Sequence, residues 1–84
     1  MSDQKNSLQR LDDLPAGVSG VITELGPEGP LTARMTALGL ARGRTVEMIR
    51  KVRLGSTLQV RVGNTHIALR AAEAGQIKVE LIAR

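Results

Sequence analysis

At 84 residues with no cysteine, the chain predicts one small domain, with no room for a sizeable ligand cavity and no disulfide or thiolate metal site. It contains no Phe, Trp or Tyr, so it lacks the rings on which single-strand nucleic-acid modules stack bases and with which polyproline and methyl-lysine grooves are lined. The net charge of +4 is uneven: residues 1–28 carry two basic and five acidic side chains, residues 29–84 ten basic and three acidic, which favours an anionic partner surface.

Residues 1–7 are polar, with nothing apolar to dock, and are expected to form a disordered tail ahead of a domain spanning 8–84. Leu8, Leu11 and Leu14 recur at spacings of three, as in a helical turn or an irregular lead-in, and Pro15-Ala16-Gly17 turns the chain into the first strand. That strand is predicted over 18–25, with Val21, Thr23 and Leu25 on one face and Ile22 on the other. Gly20 marks a bend or a close backbone approach. The glycine- and proline-rich segment 26–30 then leads into a helix with Gly29 as N-cap and Pro30 at N1.

Leu31, Met35 and Leu38 fall at i, i+4 and i+7, giving this helix one apolar stripe. Gly39 follows at C′, where a left-handed backbone is cheap only for glycine, and Leu40 at C″ is placed to pack back on Met35. Leu31, Met35, Leu38 and Leu40 are therefore expected to hold the insert against the domain, over one open end of the sheet. A turn around Gly43 precedes a strand that starts near Thr45, with Val46 and Met48 alternating against Thr45, Glu47 and Ile49.

Leu58, Val60 and Val62 alternate with Gln59 and Arg61, and Ile67 and Leu69 with His66, Ala68 and Arg70. Gly63-Asn64 fits a two-residue hairpin loop that pairs Val62 with Thr65, Val60 with Ile67 and Leu58 with Leu69. A one-residue slip would bury Arg61, so the register is strongly specified. Residues 71–75 allow a single helical turn, and Ile77, Val79 and Leu81 form the last strand with Lys78, Glu80 and Ile82 outward. Five short strands with tight turns imply an all-β fold, a closed or nearly closed small barrel carrying one inserted short helix.

Catalytic chemistry finds no support in these residues. His66 is the only histidine and faces Arg61 across the hairpin on the outer side, the carboxylates are scattered, and no spacing assembles a zinc or calcium site. The glycines match neither phosphate-binding fingerprint. No catalytic, metal or cofactor-binding residue is assigned. The side chains that remain for function are basic: Arg34 on the helix, Arg42 and Arg44 around Gly43, and the run Arg50, Lys51 and Arg53 before Leu54-Gly55. These six are expected to form one cationic, partner-binding patch beside Ile49 and Val52, arginine being suited to bidentate carboxylate or phosphate contacts.

The lead-in from Leu11 to Gly17, the helix ending Leu38-Gly39-Leu40 with Gly43 and Val46 after it, Leu54-Gly55, Val62-Gly63 running to Arg70, Glu73-Ala74 and Ile77-Lys78-Val79 together resemble the FeoA family, from about Leu8 to Leu81. The resemblance implies an SH3-like barrel with an inserted helix. It also implies a small non-enzymatic accessory protein of bacterial ferrous iron uptake that binds or regulates a FeoB-like membrane transporter through its cytoplasmic G domain. The family's glycines correspond to Gly17, Gly39, Gly43, Gly55 and Gly63, which the residue pattern makes turns and caps. Many relatives have proline where this chain has Arg42 and Arg53, and aspartate where it has Ser56; both departures fall in turns of the proposed patch.

No apolar run approaches the ~20 residues that span a bilayer, and no hydrophobic stretch of a signal peptide follows residues 1–7. A cytoplasmic protein without membrane insertion is expected, peripheral to the inner membrane through its partner. Ile22, Ile49 and Ile82 on predicted outer faces offer a surface for homo-oligomers. The alternative function is a small-barrel nucleic-acid-binding protein using the basic face, which the charge permits and the missing aromatic residues disfavour.

Overall fold

The structure, a computed structural model, describes residues 8–52 and 56–82. The tail expected over 1–7, with Arg53, Leu54 and Gly55, lies outside the described residues. The elements run β1 (Leu8–Arg10), a 3-10 turn (Leu11–Asp13), β2 (Ser19–Glu24), α1 (Pro30–Ala37), β3 (Thr45–Val52), β4 (Thr57–Val62), β5 (Thr65–Arg70), α2 (Ala71–Ala74) and β6 (Lys78–Leu81). All six strands belong to one antiparallel sheet in the order β1-β6-β2-β3-β4-β5.

The hairpin forms in the expected register, with Val62 opposite Thr65, Val60 opposite Ile67 and Leu58 opposite Leu69. Those residues other than Thr65 are buried, while Gln59, Arg61, His66 and Ala68 face outward. Gly63 supplies the positive φ, 61°, at the first central position of the loop. The core is wholly aliphatic apart from methionine: Leu11, Leu14, Val46, Met48, Leu69 and Ile77 are among fifteen buried hydrophobic residues in one cluster.

The C-terminal cap of α1 is a complete Schellman motif. Gly39, at φ 108°, donates its N–H to the Thr36 carbonyl at 3.0 Å, and Leu40 donates to the Met35 carbonyl at 3.1 Å. Met35 and Leu40 are both fully buried. The apolar stripe is otherwise a correction: Leu31 and Leu38 stay 41% and 36% exposed, so only the middle of the helix and the residue after its cap reach the core. Polar contacts secure the rest, because the groups beside α1 are themselves polar. Thr32 Oγ1 donates to the Pro27 carbonyl at 2.5 Å, and Gln76 Nε2 donates to Thr32 Oγ1 at 3.1 Å and to the Leu25 carbonyl at 3.0 Å.

Two further expectations change. Among the described residues the sheet has six strands rather than five, since Leu8–Arg10 pairs with β6 and the helical turn of the lead-in is confined to Leu11–Asp13. Ile22 is 1% exposed and belongs to the core face, not the outer one. Gly20 shares that face without contributing a side chain: a Cβ there would stand 3.1 Å from the Val79 Cβ and 3.0 Å from the Glu80 carbonyl oxygen. The close approach foreseen at Gly20 is real, and it hides which face of β2 is inside.

Candidate functional site: a pinned arginine turn

The segment Leu40 to Arg44 leaves the helix cap and enters β3 under tight backbone control. Arg44 donates its N–H to the Ala41 carbonyl at 3.1 Å, closing the turn. Gly43, at φ 88°, donates to the Ile22 carbonyl at 2.8 Å, and the Ile22 N–H returns to the Arg44 carbonyl at 2.9 Å. With Ile22 buried, this reciprocal pair fixes the turn to the centre of the sheet, and the exposed side chains of Arg42 and Arg44 project from a rigid base. Arg42 borders a surface hollow lined also by Leu8, Thr23, Glu24, Leu25 and Gly26. The Arg44 guanidinium lies beside the hairpin loop at Gly63.

Among the described residues the basic side chains are spread along the fold rather than gathered at one point. Arg44 and Arg50 are separated by six positions of extended chain at about 3.3 Å each, on the order of 20 Å, so they lie toward opposite ends of β3. Arg50 is exposed there, and Lys51 Nζ donates to the Asp12 carbonyl at 2.8 Å. Arg53 lies outside the described residues. Arg34 is engaged internally: it forms an ion pair with Glu73, whose side chain is 5% exposed.

Glu73 is the residue that sequence reading undervalued. Its other oxygen, Oε1, accepts the Arg70 N–H at 3.0 Å, the N-terminal half of a capping box on α2. Burial alone would raise this carboxyl, but the Arg70 N–H together with the Arg34 and Arg70 charges outweighs it, holding Glu73 below its ordinary value. Asp12 is held low chiefly by the hydrogen bond from Arg10, whose Nη2 lies 2.7 Å from Oδ2. The spacing Arg70-x-x-Glu73 at the end of a strand was the available clue to the cap. Nothing local announced Arg34, which lies 39 positions away.

Gly17, Gly39, Gly43 and Gly63 all adopt positive φ in turns or caps, as their placement in the sequence predicts, while Gly55 lies outside the described residues. His66 is exposed and opposite Arg61, which pairs with Glu47 at 2.6 Å. Among the described residues no three His, Asp or Glu side chains converge as a metal would require.

The description of the FeoA domain matches residues 9–81, nearly the whole chain. The chain belongs to the FeoA domain family. A curated relative from Porphyromonas gingivalis, a fusion of Fe(2+) transport protein A with the Fe(2+) transporter FeoB, is 29% identical over 73 residues, which cover 87% of this chain. The match spans only 9% of that relative's length. Among solved structures, Stenotrophomonas maltophilia FeoA complexed with zinc is 32% identical, with a TM-score of 0.74 over 86% of this chain and 89% of that one. It is described as an SH3 domain protein suggested to act as a bacterial ferrous iron transport activating factor. Iron(II) transport protein A from Clostridium thermocellum is 31% identical, with a TM-score of 0.82 over 88% of this chain and 46% of that one. The all-β FeoA sheet with its inserted helix is thus the SH3-like fold, and the family is one of ferrous iron transport. No helix among the described residues is long and apolar enough to cross a membrane.

Proposed function

We propose that this FeoA protein is a non-enzymatic accessory of bacterial ferrous iron uptake that binds or regulates the cytoplasmic G-protein part of a FeoB-like transporter, with Arg42 and Arg44 at the contact. The observation that carries this reading is the P. gingivalis fusion, in which a region similar to this chain is joined to FeoB in one polypeptide. Joining two modules by a linker holds them at up to millimolar effective concentration, an arrangement suited to parts that act on one another. The contact is placed at the cytoplasmic face of the inner membrane, on the surface that this domain presents.

The arginine turn suits that task because it is already ordered. The backbone that carries the two guanidinium groups is pinned to Ile22 and loses little freedom on binding, and each group can hold a carboxylate through two parallel hydrogen bonds. Arg34 instead fixes α1 to α2, and Arg50 and Lys51 occupy the far end of β3. Co-purification tests the reading: tagged full-length protein expressed with its transporter should retain the transporter from solubilised membranes at low salt and release it as ionic strength rises. Failure to retain the transporter at any salt concentration contradicts the assignment.

A further inference from the structure

We propose a second contact surface, independent of the transporter assignment: the free edge of β5 takes up an extended, acidic segment of a partner protein as an added strand. β5 ends the sheet order and spans six residues in unbroken register with β4. Because Val62 and Thr65 close a two-residue loop, Thr65, Ile67 and Leu69 exchange their backbone bonds with β4, while His66 and Ala68 direct N–H and C=O away from the sheet. Among the described residues no backbone group meets them. The ladder ends at Arg70, whose N–H is taken by Glu73.

Sheet edges are usually blunted by proline, lysine, a bulge or shortness. The opposite edge, β1, is only three residues long. β5 has none of these protections: residues 65–70 contain no proline, lysine or carboxylate. Beside the edge lies a shallow depression of about 320 Å³ lined by Ile49, Gln59, His66 and Ala68. Ile49 follows the inward Met48 and so joins this outer face by alternation, and it is the extra residue of β3 at the register shift between Met48 and Arg50. The depression can accept an apolar side chain from one face of an incoming strand.

Charge selects the partner. Residues 57–72 hold Arg61 and Arg70 and no Asp or Glu, and Arg44 flanks the hairpin loop. The neighbouring carboxylates Glu47 and Glu73 are paired with Arg61 and Arg34, so the cations that flank the two ends of the edge are Arg70 and Arg44. An acidic strand meets complementary charge here, whereas a second copy's β5 would bring like charge.

The test is titration of the isotopically labelled full chain with a capped octapeptide in which every second residue is threonine and the residues between alternate valine and glutamate, so that both meet the outer face, followed by amide NMR. Shifts should centre on 65–70, with slowed amide exchange at His66 and Ala68. The same peptide with lysine for glutamate should bind about tenfold more weakly or not at all. Ala68→Pro removes one outward donor without taking a bond from β4 and should abolish binding. Should that variant fail to fold, backbone N-methylation of the valine–glutamate peptide must abolish binding to the wild type. Arg42→Glu, away from the edge, should leave peptide binding unchanged, so this result stands or falls apart from the transporter contact. Equal binding of the N-methylated peptide, shifts centred elsewhere, or peptide-free dimerisation through β5 would overturn the proposal.

Discussion

A Cβ at Gly39 would meet open space, so any side chain there is penalised by the backbone alone. Gly39→Val should lower unfolding stability by about 1–2 kcal/mol in urea denaturation; unchanged stability would contradict the cap. Glu73 and Asp12 give the molecule its acid response. Both carboxyls titrate lower in the folded chain than in the unfolded one, so on acidification the unfolded state binds protons first. Their stabilisation is fully present above the ordinary Glu value of 4.5 and is lost as pH falls through the folded values. Thermal melts should therefore be flat near neutrality and drop in acid, with a shallower drop for Glu73→Gln. Arg34→Ala, which removes a partner of the Glu73 carboxylate and so narrows the gap between its folded and unfolded values, should lower stability near neutrality and make the acid drop shallower. The cap was legible because its parts are neighbours: an apolar stripe, a glycine and a leucine within ten positions. The Arg34–Glu73 pair was not, since only folding brings α1 to α2.

The inserted helix shows how an element can satisfy its local pattern without burying it. Spacing places Leu31, Met35 and Leu38 along one side, but α1 is eight residues long and its ends rest on Thr32, Gln76 and Glu73. Met35→Ala should cost about 2–4 kcal/mol, whereas Leu31→Ser and Leu38→Ser should each stay within about 0.5 kcal/mol of wild type. Comparable losses at all three positions would mean the helix packs more deeply than the structure shows. Sheet elements were legible in proportion to how complete their alternation was. β4 and β5 carry side chains at every inward position, and their register followed from the loop. In β2 the inward positions are Gly20 and Ile22, and the missing Gly20 side chain left Val21, Thr23 and Leu25 to suggest the wrong face. β1 is three residues whose ladder partner among the described residues lies about seventy positions away, so nothing nearby in the sequence marks it.

At the scale of the whole molecule, an aliphatic six-stranded sheet supports two separate cationic regions at the ends of β3, and the pinned turn at Arg42 and Arg44 is the one tied to the sheet's interior. Family membership and the FeoB fusion place this fold in ferrous iron transport, and the turn is the surface through which we assign its contact. The patch expected from the run of basic residues broke apart because sequence proximity across a strand is physical distance, on the order of 20 Å from Arg44 to Arg50. The most direct measurement is calorimetric titration of the isolated cytoplasmic G domain of the cognate FeoB-like transporter with wild-type protein and with the Arg42→Glu/Arg44→Glu variant, at low and high salt. Saturable binding that weakens with salt and falls at least about tenfold in the variant, with circular dichroism and melting temperature unchanged, is the predicted result. Equal affinity of the folded variant, or no binding by the wild type, would contradict the account.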